Sequence, residues 1–324
     1  MDELAALLTD TAERLFARHI TPALLREAEA GIFPAAAWDA VVEAGLPRAL
    51  LPEAAGGAGL SPAQALPLLR VAAAHAAPLP LAEAMAAAWL LHRAGMEVPD
   101  GIVTLGLGPE PERVPWGGDA AFVLLADGPR LALHAPGSYQ VIPGRNLAGE
   151  PRDALRLTGP AMASGAVPAE AALRLLAAMR TQQIAGALVA LTEATLRYAQ
   201  ERTQFGRPIG RFQAVQQSLA VLAAEAAAAG AAAGLAAEAA GTLAPLPIAA
   251  AKSRAGEAAG IGAAIAHQIH GAIGFTQEHR LHTLTRRLWS WREEAGSERF
   301  WNLRLGTAMA EAGAEGLWPL LAAA

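Results

Sequence analysis

The sequence predicts a mainly α-helical protein with an N-terminal helical domain, a small β domain in the middle and a C-terminal four-helix bundle. Three observations support this fold class. Apolar residues recur at three- and four-residue steps towards both ends of the chain, as on one face of a helix. Short apolar runs separated by Gly, Pro and Asp occupy roughly residues 100–165. The chain is 53% hydrophobic but only 5% aromatic, so its core must be aliphatic and alanine-rich, which favours closely packed helices.

The N-terminal domain is assigned to residues 1–98 and is expected to be helical. Residues 2–29 have the pattern of one amphipathic helix, which Gly31 and Pro34 end. Ser61 suits the N-cap of a later helix, because a proline follows it at the first helical position. The remaining helices are expected over 35–44, 62–76 and 81–94.

The β domain is assigned to residues 99–166 and the helical bundle to residues 167–324. Runs such as AFVLLADG and RLALHAPG have the pattern of strands followed by turns, with Leu131 and Leu133 alternating with other residues. The bundle helices are expected over 168–202, 211–241, 246–272, 276–291 and 295–312.

Composition and charge exclude several classes of function. The net charge is -5 and the pI is near 5.9, so no nucleic-acid partner is expected. The chain has no cysteine, which excludes disulfides, thiol catalysis and cysteine metal sites. The N-terminus has no apolar signal core, and charges such as Glu225 and Glu238 interrupt the apolar tracts. We therefore expect a cytoplasmic protein that does not span a membrane.

The most informative segment is YAQERTQFGRPIGRFQAVQQ, residues 198–217. A helical pattern runs into it and breaks at Gly206 and Pro208, which suit a turn. The guanidinium fork of arginine matches phosphate oxygens, so the turn is a candidate anion site. Alternatively, its arginines are solvated or pair with Glu201. The side chains that the turn would bring together are Arg202, Thr203, Gln204, Arg207 and Arg211.

A second informative segment, HQIHGAIGFTQEHRLHTLTRR, begins at His267. Gly271 and Gly274 allow the backbone to approach a ligand phosphate or ribose closely. Alternatively, one of these glycines caps a helix and Thr276 caps the next one. No carboxylates stand at a spacing that would complete a metal site with the histidines, so no metal is expected. These histidines are His267, His270, His279 and His282.

A candidate base for removing a carbon-bound proton lies in WSWREEAGSERFW. Such a base must be a carboxylate in a dry pocket, where desolvation raises its pKa towards neutral pH. Three tryptophans could exclude water from the pocket: Trp289, Trp291 and Trp301. Alternatively, the glutamates line a solvated helix face and pair with Arg292 or Arg299. The candidate glutamates are Glu293, Glu294 and Glu298.

Several of these motifs resemble those of acyl-CoA dehydrogenases, FAD enzymes that oxidise the α–β bond of acyl-CoA thioesters. RTQFGRPI followed by FQAVQ is similar to a family segment that joins two long helices, and QIHGAIGFT is similar to its second FAD segment. PEAAGGAGL resembles a loop of the family's N-terminal domain. The strand region is shorter than the family's β domain and has no E-x-x-x-G-S-D-like segment. The resemblance is to a short member of the family.

The resemblance implies FAD bound across a subunit interface and Glu294 as the catalytic base, because EEAGSE aligns with a Y-E-G-T-S-E run. Glu294 would take the α-proton of an acyl-CoA while hydride leaves the β-carbon for the flavin. An electron-transferring flavoprotein is the implied electron acceptor, and a homo- or hetero-oligomer, dimer or tetramer, is the implied assembly. The implied cofactor contacts are Arg202, Thr203, Gln204, Phe205, Gln213, Gln268, Gly271 and Ala272, the last replacing the family's second glycine.

Two alternatives remain open. The short β domain is also expected of a non-catalytic or half-site partner subunit in a heteromeric acyl-CoA dehydrogenase. A protein purified alone as a yellow homo-oligomer would favour the self-sufficient enzyme, and a colourless one the partner subunit. The second alternative is a cofactor-free helical scaffold, which a thermal shift that responds to neither FAD nor acyl-CoA would indicate.

Overall fold

The computed structural model describes residues 3–109, 111–276 and 279–323. The chain divides into two compact units, one formed by Met1–Ala72 and Ala77–Leu176, the other by Ala73–Ala76 and Ala177–Ala324. Helices precede and follow a run of strands, which confirms the predicted fold class. The predicted division into three domains stays a prediction.

Within the described part of the chain, residues 3–93 form six α-helices. α6 is buried along almost its whole length and belongs to the core of the first unit. The helices are α1 (Glu3–His19), α2 (Pro22–Glu29), α3 (Ala35–Glu43), α4 (Pro62–Ala65), α5 (Pro67–Ala74) and α6 (Leu81–Arg93).

Two of the expected N-terminal helices are each divided in two. The prediction of one helix over 2–29 is wrong, because Thr21 caps a new helix by accepting a hydrogen bond from the Leu24 backbone nitrogen at 3.2 Å. Pro22 follows in the first turn, where its missing N–H costs nothing. The helix expected over 62–76 is interrupted at Pro67 for a related reason: proline cannot donate to the preceding turn.

The sequence predicts strands over roughly residues 100–165, and the structure has them there as two small sheets. One has the order β1-β3-β4-β7 and the other β2-β6-β5. β1 and β3 are parallel, and the other strand pairs of these two sheets are antiparallel. The strands are β1 (Val103–Leu107), β2 (Val114–Pro115), β3 (Phe122–Asp127), β4 (Arg130–His134), β5 (Tyr139–Ile142), β6 (Arg152–Leu157) and β7 (Ala163–Ala166).

The C-terminal bundle is organised around α9, which packs against α8, α10 and α11. Small residues make this close packing possible. A Cβ on Gly262 of α9 would lie 2.6 Å from a methyl group of Leu188 and 3.3 Å from one of Leu222. The elements are α7 (Ala171–Glu201), β8 (Thr203–Gln204), β9 (Arg207–Pro208), α8 (Gln213–Ala240), α9 (Pro245–His270), α10 (Leu281–Glu293) and α11 (Glu298–Ala323).

The last two helices differ from the expected ranges. α10 begins at Leu281 rather than at residue 276, and residues 277 and 278 of the expected helix lie outside the described residues. Thr276 does not cap α10, because its hydroxyl donates to the Ile273 carbonyl at 2.9 Å. α11 continues well beyond residue 312, across a kink at Gly313.

Among the described residues, Gln213–Ala240 is the one helix long and apolar enough to cross a membrane, by length and composition only. A third of its most apolar window is buried within the protein. Core helices of water-soluble bundles also meet this criterion, so the helix by itself is weak evidence for a membrane span.

Lys252 connects α9 to the turn between α10 and α11. Its Nζ donates to the Arg292 and Gly296 carbonyl oxygens, both at 2.8 Å. The residue is 1% exposed. Burial lowers the pKa of Lys252 from 10.5 to about 7, although the negative charge of Glu298 acts in the opposite direction.

This lowered pKa predicts a pH-dependent stability that Lys252→Met should remove. Between pH about 7 and 10.5 the unfolded lysine binds a proton that the native lysine lacks, so stability should rise with pH in this range. Below this range both states are protonated and the contribution is constant. The wild-type minus variant free energy of unfolding should increase by about 1.4 kcal/mol per pH unit. Urea denaturation at fixed protein concentration measures it, and parallel curves for the two proteins would contradict it.

Candidate functional site

The first candidate segment is a tight β-hairpin that follows α7. β8 and β9 pair Thr203 with Pro208 and Gln204 with Arg207. The two residues between the strands, Phe205 and Gly206, both have positive φ, at 52° and 76°. Two-residue hairpin turns favour this left-handed geometry, but a bulky side chain rarely adopts it. Strain of this kind concentrates at functional sites, and the Phe205 ring is 92% exposed.

The predicted cofactor contacts of this segment all face solvent. They are Arg202, Thr203, Gln204, Phe205 and Gln213, the last at the start of α8. The Arg207 guanidinium lies over the Phe212 ring, 4.2 Å from its centroid. Within the described part of the chain, no ion pair joins Glu201 to the arginines of the hairpin. The hairpin side chains therefore present hydrogen-bond donors for which the described residues supply no acceptor.

The second candidate segment follows the end of α9. Gly271 ends this helix with φ 63° and ψ −144°, a region that essentially only glycine adopts. A Cβ on Gly271 would meet nothing within 4 Å, so conformation rather than crowding requires glycine here. Gln268, Gly271 and Ala272 are all exposed. At Gly274, by contrast, crowding requires glycine, because a Cβ there would lie 2.8 Å from a Leu281 methyl group.

A contact between Tyr198 and His270 brings the two segments together. The Tyr198 hydroxyl donates to the His270 carbonyl at 3.3 Å, and the two rings stack with centroids 4.3 Å apart. Tyr198 lies one helical turn before Arg202, and His270 directly precedes Gly271. The two segments that the sequence singles out are therefore neighbours in the folded chain.

A cavity of about 380 Å³ lies beside this contact. Its wall combines charged and aromatic side chains with small apolar ones. The polar lining residues are Arg197, Tyr198, Glu201, His279, Arg280 and Thr283.

The histidines of the second segment pack against aromatic rings. His267 lies between Phe275 and Trp289, with centroid distances of 4.2 Å and 5.4 Å. Burial lowers the pKa of His267, of His270 and of His279, which favours their neutral forms. No cluster of three or more metal-ligating side chains lies within the part of the chain that the structure describes.

Glu294 stands at the C-terminal end of α10 and forms an ion pair with Arg180 of α7. Its Oε2 accepts a hydrogen bond from Arg180 Nε at 2.9 Å, and the side chains are 13% and 4% exposed respectively. The Trp301 indole donates to the Ala295 carbonyl at 3.0 Å and shields the same turn. Trp289, which was expected to exclude water from this pocket, lies against His267 instead.

Sequence reasoning missed two residues of this site, Arg180 and Lys252. The alternative of a solvated helix face pairs the glutamates of this run with Arg292 or Arg299, both close in sequence, whereas Arg180 is separated from Glu294 by 114 positions. No local pattern indicates such a pairing. One sequence signal could have drawn attention to Lys252: it is the only lysine of the chain and lies in an apolar helix.

Comparisons with known proteins agree with this arrangement of elements. A family model described as acyl-CoA dehydrogenase, N-terminal domain, matches residues 2–98, and one described as acyl-CoA dehydrogenase, C-terminal domain, matches residues 165–308. The chain is 32% identical over 297 residues to the acyl-CoA dehydrogenase IpdE2 of Mycobacterium tuberculosis, covering 87% of this chain and 89% of the relative.

Solved structures show the same fold. A variant of the Tcur3481–Tcur3483 steroid ACAD superposes with a TM-score of 0.88 at 25% identity, covering 96% of this chain and 98% of that one. The ChsE4–ChsE5 complex of Mycobacterium tuberculosis superposes with a TM-score of 0.85 at 22% identity, covering 97% and 99%. The chain therefore belongs to the acyl-CoA dehydrogenase family of oxidoreductases.

Proposed function

We propose that this chain takes part in the FAD-dependent α,β-dehydrogenation of an acyl-CoA thioester and that its two exposed segments hold the cofactor. The observation that carries the proposal is the Tyr198–His270 contact, which places the hairpin next to the end of α9. A dinucleotide has phosphates, a ribose and a base along its length. A surface built from two adjacent segments matches such a ligand better than either segment alone.

The residues present fit FAD. The Arg202 guanidinium offers a fork of donors for a pyrophosphate, and Gln204 and Gln268 offer amides for hydroxyl or ring nitrogen groups. The open space around Gly271 lets a ligand approach the backbone. When bound, FAD supplies the hydride acceptor for the β-carbon, which no side chain of the protein can provide.

Glu294 is the proposed base, and its surroundings define what it can do. Its carboxylate is largely buried, and Trp301 covers the adjoining turn, so water is mostly excluded. The Arg180 guanidinium donates to Oε2 and thereby restrains the orientation of the carboxylate. To take the α-proton of a bound thioester, the carboxylate must direct one of its oxygens to the substrate.

The same ion pair favours a second candidate function, that of a half-site partner subunit. A carboxylate hydrogen-bonded to a buried arginine is less available to a substrate than one that faces the substrate alone. The Tcur3481–Tcur3483 protein has a double name and is described as a steroid ACAD. In the half-site version, this chain contributes its two cofactor segments to an active site on a partner, and the substrate is an acyl-CoA with a steroid-derived ring system. Membership of the family argues against a cofactor-free scaffold.

Arg202→Gln should weaken FAD binding without changing stability. The variant loses the guanidinium fork at an exposed position, so the dissociation constant should rise about tenfold while the melting temperature stays constant. Titrating FAD into the flavin-free oligomer measures this constant. Arg18→Gln, which changes an exposed arginine of α1, is the matched control. Equal affinities for both variants would contradict the proposed role of the hairpin.

Glu294→Gln separates the two versions of the proposal. If Glu294 is the base, kcat should fall by about 10²–10⁴-fold while flavin content is retained. If the chain is a half-site partner, the assembled oligomer should keep its activity, because the base lies on the other subunit. The assay uses straight-chain and steroid-ring acyl-CoA substrates, and Glu293→Gln is the control at the exposed neighbour. Absence of dehydrogenation in the wild-type oligomer with every substrate would contradict both versions.

A further inference from the structure

One face of α9 receives the segment 292–298, which joins α10 to α11 and is called the base turn here. Lys252, Gly256 and Gly260 are four residues apart and share this face. A Cβ on Gly256 would lie 2.6 Å from Glu298 Oε1, and one on Gly260 would lie 2.9 Å from an Arg292 side-chain nitrogen. The Arg292–Glu298 ion pair, 2.9 Å long, therefore rests directly on the α9 backbone.

Lys252 supplies the direct hydrogen bonds of this contact. The Arg292 carbonyl belongs to the last turn of α10, where carbonyl groups lack partners in their own helix and carry partial negative charge. The Gly296 carbonyl lies three residues beyond the end of α10. A protonated amine bonds both oxygens with its charge, whereas a neutral amine has one donor fewer and no charge to attract them.

The base turn requires such a restraint, because its backbone is strained. Ala295 and Gly296 both have positive φ, at 54° and 95°. Alanine rarely adopts this conformation, so the surrounding contacts must hold it in place. Glu294 directly precedes these two residues, which means that a shift of the turn would move its carboxylate relative to Arg180.

We propose that Lys252 is a positioning residue that, in its protonated form, fixes the base turn on α9 and thereby sets the place of Glu294. The structural part of this proposal stands on the contacts of α9 alone. Its consequence for catalysis rests on the proposed function, in which Glu294 is the base.

The charges around Lys252 influence the pH at which its amine loses a proton. Glu298 of α11, together with Glu294 and Glu293 at the end of α10, favours the proton, while Arg180 of α7 opposes it. The Arg292 side chain pairs with Glu298 and Glu293. Burial is the largest influence and lowers the pKa of Lys252 to about 7. The proton should therefore leave within the neutral pH range, and the base turn should loosen as it does.

The proposal can be tested on the unmodified protein, because Lys252 is the only lysine of the chain. Lysine labelled with ¹³C at Cε gives a single side-chain NMR resonance, whose shift reports its protonation. The Trp301 indole N–H, bonded to the Ala295 carbonyl, reports the base turn and is assigned with Trp301→Phe. Both signals should titrate with one midpoint near pH 7. A lysine that stays protonated above about pH 9.5, or an indole signal that does not follow it, would overturn the proposal.

Two variants test the same contact independently. Lys252→Met should abolish the pH dependence of the indole signal and lower kcat about tenfold or more, with FAD affinity unchanged. Gly256→Ala should displace the indole signal by pushing Glu298 off α9, whereas Gly230→Ala in α8 has nothing within 4 Å of the new methyl group and should leave both signal and kcat unchanged. Equal behaviour of the two alanine variants would contradict the proposal.

The readouts distinguish this proposal from the proposed function. If the protein dehydrogenates no acyl-CoA, the NMR titration and the Gly256→Ala comparison still decide whether Lys252 holds the base turn. If Glu294→Gln loses activity but Lys252→Met keeps both its kcat and its pH profile, the positioning role is wrong while the proposed function stands.

Discussion

The stacking of Tyr198 on His270 is the interaction on which the candidate cofactor surface depends. It connects the end of α7 to the end of α9, and each of the two segments begins within one helical turn of it. Two loops that moved independently would each lose conformational freedom when they bound one ligand. Because helices fixed in the bundle carry both loops, much of that entropy is already lost on folding, which favours binding of an extended ligand.

The second constraint is the close packing of α9 within the bundle. Alanine and glycine along this helix allow its neighbours to approach the backbone, as Gly262 does for Leu188 and Leu222. The same property lets the Arg292–Glu298 ion pair rest on α9 beside Lys252. Burying the protonated lysine reduces global stability, but it provides the charge that holds a strained turn. Functional regions typically contain side chains that lower the stability of the fold but serve a binding or catalytic site.

Much of the fold could be predicted from the sequence, because its signals are local. Helical periodicity and the Gly206 and Pro208 turn residues act over a few positions, and they correctly predict α7, α8 and a turn between them. The helix breaks at Thr21 and Pro67 could not be predicted, because the residues around a proline that begins a helix resemble those around a proline within a helical pattern.

The candidate site could be predicted only in part. Its exposed segments carry local motifs, whereas the partner of Glu294 could not be derived. The Arg180–Glu294 pair spans 114 positions, and the contacts of Lys252 span 40 and 44. Such contacts arise from the packing of whole helices, which residue periodicity alone does not determine. Whether Glu294 acts as the base remains a prediction, since its pairing with Arg180 is compatible with both versions of the proposed function.

Hydrogen–deuterium exchange with and without FAD tests the shared cofactor surface most directly. Peptides covering 202–213 and 268–276 should become protected together when FAD is added to the flavin-free oligomer, with the same dependence on FAD concentration. Protection of only one of these segments, or of neither while FAD binds elsewhere on the oligomer, would contradict a single surface formed by both.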